Sequence, residues 1–150
     1  FIVLWLLSYY LFGISLLQNK IEVGEDFNLT DNNNLVEDHT KLWEKLNIDM
    51  ETHQHYLDET LNLQKLAQML DTPQRLLSQC INQQGNMNFH SFVNLFRVNR
   101  VKKEMEDQKN SHLTLLGMAY KAGFKSKSSF NQVFKNTTGF TPKEYLRQQA

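Results

Sequence analysis

The stretch GFKSKSSFNQVFKNTTGFTPKEYLR, residues 123–147, decides the fold. A Gly-Phe turn leads to a serine placed to cap a helix, and the helix that follows is polar and carries lysine. Phe130 and Phe134 lie four apart, so one face of that helix is buried. Lys127, Ser128, Asn131 and Gln132 fall on its other faces. Hydrogen-bonding side chains at the start of a short basic helix with a core-facing side suit insertion into a DNA groove. The competing reading is an ordinary solvated helix face.

The same pattern recurs upstream. Displaced by 54 residues, Thr72 falls on Ser126, Leu76 on Phe130, Cys80 on Phe134 and Gly85 on Gly139. Thr72-Pro73 reads as a cap followed by a proline at the first helical position, and Gly85 as the stop. A shorter helix precedes each cap, around 61–70 and 112–122, and Ala67 or Ala119 lets two helices approach closely. The connector before the first cap is two residues shorter than that before the second. Each half is therefore helix, tight turn, helix, over about 61–84 and about 113–137. Between them Leu95, Val98, Val101 and Met105 mark a long central helix that also bears Arg97, Arg100, Lys102 and Lys103. No alternating strand pattern appears, so the expected class is all-α: two helix-turn-helix subdomains, homeodomain-like, joined by a central helix.

Charge is split along the chain. Residues 1–60 hold three bases and eleven acids, a balance of −8, while residues 61–150 hold thirteen bases and five acids, a balance of +8. The basic half is the part suited to an anionic partner. Residues 1–17, FIVLWLLSYYLFGISLL, are uncharged and reach the lower limit of about 17 apolar residues for a transmembrane helix, which is the reading adopted. A signal peptide needs a basic start and a small-residue exit that the run lacks, and a buried helix of a soluble domain is the third reading. The chain begins at Phe1, as expected of a fragment of something longer. Residues 18–38 are acidic and asparagine-rich and read as a flexible linker. Leu35, Leu42, Leu46 and Met50, with Trp43 beside them, then form an apolar stripe. That stripe is either the first helix of a domain over 39–150 or a dimerising helix that carries a signal from the membrane.

Cys80, the only cysteine, follows Leu76 by four and reads as a small core residue. His53 and His55 are two apart, hence on different faces of any helix, and no cysteine or carboxylate set completes a metal site. With no phosphate loop and no nucleophile beside an organised base, an enzyme is not expected, nor is a cofactor.

This constellation closely resembles the DNA-binding domain of AraC/XylS-type transcription regulators, over roughly residues 56–147. The most specific residues are Ala119, Gly123-Phe124, Ser126, Phe130, Phe134-Lys135, Gly139, Thr141-Pro142 and Tyr145. Leu66-Ala67, Leu76-Leu77-Ser78, Phe89 and the Arg97 stretch add to them, and residues 76–82 with Asn88-Phe89 and Asn94 look most like a membrane-attached branch. The resemblance implies a sequence-specific regulator whose two recognition helices enter successive major-groove segments, set near one turn apart, roughly 34 Å. Base-contact candidates are then Lys127, Ser128, Asn131 and Gln132 on the second helix and Gln74, Leu77 and Ser78 on the first. Leu77 departs from the polar expectation: it meets a thymine methyl or packs inward with Ile81. Backbone candidates are Thr72, Arg75, Arg97, Arg100, Lys125, Ser126 and Lys135, with some of the central-helix bases merely solvated and a structural ion pair as the alternative for Arg97. Implied partners are double-stranded DNA, RNA polymerase and a bilayer held through residues 1–17, with a homodimer left open. The implied place is the bacterial inner membrane, with the domain in the cytoplasm. The alternative is a membrane receptor tail whose helical domain binds a protein partner rather than DNA.

Overall fold

The computed structural model describes residues 29–107 and 113–149, with side-chain environments from His39 onward. Asp38–Ala150 forms one compact unit; Phe1–Glu37 forms another, of which only the helical residues from Leu29 are described. Seven α-helices and one 3-10 turn make up the described residues, and no strand occurs among them, as the periodicity predicts. They are α1 (Leu29–His53), α2 (Leu63–Met69), α3 (Gln74–Gly85), α4 (Phe89–Glu106), α5 (Leu115–Lys121), α6 (Lys127–Thr138) and α7 (Pro142–Gln149). The 3-10 turn, His55–Leu57, joins α1 to α2. Residues 1–17 lie outside the described residues; among those described, no helix is long and apolar enough to cross a membrane.

Helix α1 starts inside the stretch expected as a flexible linker, because residues 29–38 are already helical. Once a helix is nucleated, each added residue gains a backbone hydrogen bond without a new nucleation cost. Those gains outweigh the poor propensity of Asn32, Asn33 and Asn34. At the other end of α1, Leu46 and Met50 are fully buried, so that part of the stripe belongs to the core of the domain.

Two apolar cores share α4. The first gathers Leu46, Met50, Leu66, Ala67, Leu77, Ile81, Phe92 and Val93 from α1, α2, α3 and the start of α4. The second gathers Val98, Val101, Met118, Ala119, Phe124, Phe130 and Phe134 from the rest of α4, α5 and α6. The 18 residues of α4 span about 27 Å, and the helix changes core between Val93 and Val98. In the second core an aromatic ladder runs Phe124, Phe130, Phe134, Tyr145, with centroids 5.3, 5.6 and 5.5 Å apart. Thr141 and Glu144 form a reciprocal capping box that starts α7 and sets Tyr145 on Phe134. The bonds from Thr141 hold the Glu144 carboxyl below its ordinary range.

The joint between the halves is a close approach of backbone to backbone. Arg97, on α4 where it changes core, donates from Nε to the Tyr56 carbonyl at 2.8 Å and from Nη2 to the Asp58 carbonyl at 2.9 Å. Its guanidinium lies 5.9 Å from the centre of the Phe124 ring. Gly123, at φ +91°, seats against the same turn: a Cβ there would stand 2.4 Å from the Tyr56 carbonyl oxygen and 2.9 Å from that of Leu57. The corresponding turn in the first half holds Asp71 at φ 49°, so the left-handed conformation alone does not demand glycine. The contact does.

Gly139 has nearly the same φ, +81°, with nothing within 4 Å of its would-be Cβ. Gly139→Ala should therefore cost only the left-handed penalty of about 1–2 kcal/mol. Gly123→Ala should add an overpacking cost of about 1–3 kcal/mol to that same penalty. Urea unfolding of both variants measures the difference, and equal losses would mean that the joint is not a tight contact.

Candidate nucleic-acid interface

Helices α3 and α6 are built alike, in a register one residue away from the sequence expectation. On α6, Phe130 and Phe134 are buried, as predicted. On α3 the matching pair is Leu77 and Ile81, both at 0% exposure, while Leu76 is half-buried. The offset between these helices is therefore 53, not 54, since Leu77 pairs with Phe130 and Ile81 with Phe134. Their left-handed C-caps obey the same offset, Asn86 at φ 50° matching Gly139 at φ 81°.

This register corrects three expectations and decides one left open. Leu77, also a base-contact candidate, packs inward with Ile81 in the core. Thr72 does not cap α3: its N–H donates to the Ala67 carbonyl at 2.9 Å and its hydroxyl to that of Leu70 at 3.1 Å, so it belongs to the turn that closes α2. Pro73 is the N-cap, with no side-chain bond, and Gln74 is the first helical residue. Gly85 is the last residue of α3 rather than its left-handed stop, and its smallness serves Trp43, whose Cη2 lies 2.7 Å from the position a Cβ would take.

With the offset corrected, the polar positions of the two helices match pairwise. Gln74 corresponds to Lys127, Arg75 to Ser128, Ser78 to Asn131 and Gln79 to Gln132. Gln74, Arg75, Ser78 and Gln79 line one shallow depression together with Leu63 of α2. Lys127 and Asn131 line its counterpart with Leu115 of α5, which stands where Leu63 stands in the first half. Gln79 was not among the expected base contacts. The signal that identifies it is the buried i, i+4 pair Leu77/Ile81, two strong apolar residues against Leu76/Cys80.

Lys127, Ser128, Asn131, Gln132 and Lys135 are all exposed on α6, and Lys125 on the turn before it. Ser126 caps α6 by accepting from the Ser129 N–H at 3.2 Å, and its hydroxyl lies 3.1 Å from that of Ser128. The N-terminal turn of α6 thus presents hydroxyls, amides and ammonium groups from one rigid element.

The central-helix arginines are engaged by partners inside the domain. Arg97 is committed to the Tyr56 and Asp58 carbonyls, and its burial lowers the guanidinium pKa from the ordinary value. Arg100 donates from Nε to Oε1 of Glu104 at 2.8 Å, one turn along α4, and Glu104 is itself buried. Lys102 stands over the Tyr145 ring, 5.5 Å from its centre. Cys80 is fully buried, donates to the His39 carbonyl at 3.4 Å and has its thiol pKa raised by burial, as a core residue would.

The helix-turn-helix domain family matches residues 66–148. An uncharacterized HTH-type transcriptional regulator of Staphylococcus aureus (strain COL) is 30% identical over 96 residues, which is 64% of this chain but 12% of that protein. The chain thus spans about an eighth of that relative's length. Among solved structures, a Listeria innocua protein of unknown function superposes with a TM-score of 0.55 at 26% identity, covering 67% of this chain and 92% of that one. The C-terminal domain of the two-component response regulator yesN from Fusobacterium nucleatum superposes with a TM-score of 0.55 at 24% identity, covering 73% and 98%. Paired helix-turn-helix units, matched polar faces and the family match over most of Asp38–Ala150 agree: the chain belongs to the AraC-type helix-turn-helix family of DNA-binding transcription regulators.

Proposed function

We propose that the chain reads a specific DNA sequence with two recognition helices, α3 and α6, entering successive major-groove segments from one face of the duplex. The observation that carries this reading is the matched register: each helix buries an apolar pair four apart and places polar side chains at the same four positions, all exposed except the half-buried Ser78. On α6, Asn131 and Gln132 suit adenine, and Lys127 suits guanine. On α3, Gln74, Ser78 and Gln79 take the base-edge positions, and Arg75 reaches either guanine or phosphate. Lys125, Lys135 and the Ser126-capped helix start supply phosphate contacts. The reading in which the domain binds a protein instead rests on Leu77 and on the modest charge of the first recognition helix; of these, Leu77 is core.

In this reading residues 1–17 anchor the reader in the bacterial inner membrane, with the domain on the cytoplasmic side. RNA polymerase is its partner at a promoter. One chain supplies both reading helices, so an asymmetric site needs no homodimer.

Selection from a randomised duplex pool, followed by anisotropy titration, tests the base contacts. Asn131→Ala and Gln132→Ala should relax preference in one half of the site, and Ser78→Ala and Gln79→Ala in the other, each by about 1–3 kcal/mol of discrimination. Preferences unchanged in all four variants would sink the assignment. Leu77→Ala should instead lower stability by about 2–5 kcal/mol.

Phosphate and joint residues separate by salt dependence. Lys135→Ala should weaken binding to all sequences alike and reduce the slope of log K against log salt by about 1, with stability unchanged. Arg97→Ala should lower the unfolding midpoint and leave that slope as it is; a reduced slope would place Arg97 on phosphate after all.

The tether predicts that the expressed chain sediments with the membrane fraction and that removing residues 1–17 releases it. A full-length chain that stays in the supernatant overturns the anchor while leaving the DNA reading intact.

A further inference from the structure

At the C-terminal end of α1, three metal-ligating side chains converge. Nδ1 of His53 lies 2.9 Å from Oδ1 of Asp49, and Nε2 of His55 lies 2.8 Å from Oδ2 of the same carboxylate. The imidazole rings stack at 5.4 Å with 21° between their planes. Spacing alone puts these histidines on different faces of a helix. The helix, however, ends at His53, and Gln54 adopts φ 52°, a left-handed conformation rarely held by a residue of its kind. That reversal carries His55 back alongside His53.

We propose that Asp49, His53 and His55 form a binding site for a divalent transition-metal ion of the zinc type. Two imidazole nitrogens and one carboxylate oxygen are the donor set that such borderline ions take, with a fourth position left to water. The three donor atoms already lie within 4.8 Å of one another. A tetrahedral ion with bonds of about 2.0–2.1 Å holds its ligands about 3.3 Å apart, so the site closes by about 1.5 Å at most. In the ion-free geometry the ring nitrogens facing Asp49 donate to its carboxylate; an ion takes their place as partner once each imidazole carries its single proton on the other ring nitrogen and turns a lone pair towards the site. Asp49 and His55 are mostly sheltered, with side chains 22% and 20% exposed, whereas His53 is 60% exposed and gives the ion its way in. The site does not depend on DNA binding.

Zinc titration of the full 150-residue chain by calorimetry tests the proposal, with ring-proton NMR of the histidines alongside. One ion per chain should bind, and the resonances of His53 and His55 should shift together. His53→Ala removes an exposed side chain, so the fold should persist by circular dichroism while zinc affinity falls by at least the 10–100-fold that loss of a supporting partner costs. Asp49→Asn should behave alike, and His90→Ala, on an exposed residue of α4, should change nothing. Saturating zinc should raise the melting temperature of the parent chain and not of His53→Ala. No saturable binding by the parent chain, unchanged affinity in His53→Ala, or shifts confined to other histidines would each overturn the site.

Discussion

Everything in the domain is referenced to the contact between Gly123 and the Tyr56–Leu57 backbone, held by Arg97. Each helix-turn-helix unit has its own core, and α4 is their shared beam. A helix alone fixes the distance between two modules but leaves one free to twist against the other. The Arg97 fork removes that freedom: it rises from α4 and grips two carbonyls of the turn leading into the first unit. A charged donor contributes about 1.5–3 kcal/mol to such a bond when sheltered, less where water reaches it. Gly123 brings the second unit's turn against the same carbonyls, at a distance no other residue allows. The two modules therefore meet through backbone atoms, whose positions do not depend on rotamers.

The two units show what a repeat must keep and what it can vary. Both keep a small residue at the helix crossing, Ala67 or Ala119, a side-chain cap on the first helix, Asn62 or Thr114, and an apolar pair four apart on the second. The turn differs by one residue rather than the two that caps at Thr72 and Ser126 imply, and the device that starts the second helix differs too: Pro73 pre-sets the backbone in one, while Ser126 supplies a hydrogen bond in the other. The C-cap differs too, since an asparagine tolerates the left-handed conformation that glycine adopts without cost.

Much of this was legible in the sequence: the all-helical class, the two units, the central helix and the buried face of α6. Each rested on strong period signals or on glycine, proline and hydroxyl residues with one dominant local role. The one-residue slip came from trusting small local signs over the larger energetic term. Thr72 and Gly85 look like a cap and a stop, and Leu76 and Cys80 then fall inward. Cys80 is indeed buried, but Leu77 and Ile81 go in with it while Leu76 stays half-buried; burying that pair removes more apolar area from water, and that term sets the helix rotation. The roles of Arg97 and Arg100 stayed open in the sequence for another reason. A basic residue looks the same in a sequence whether it faces phosphate, a carbonyl fork or a glutamate one turn away. The His53–His55 pairing was hidden by a helix end, because periodicity holds only until the helix stops.

Under the proposed function, the rigidity of the joint bears on how the domain gains affinity for DNA. Two modules on a loose linker lose orientational freedom when both engage, and that ordering cost is charged against binding. Here folding has already fixed their relation through Arg97 and Gly123, so binding needs to order only the side chains of α3 and α6. The same rigidity adds discrimination: a site whose halves are spaced or phased differently can satisfy one helix only by straining either the duplex or the joint. Under the proposed function, base preference within each half-site belongs to the exposed residues of α3 and α6. The tolerance for spacing between half-sites belongs to residues that touch no DNA at all.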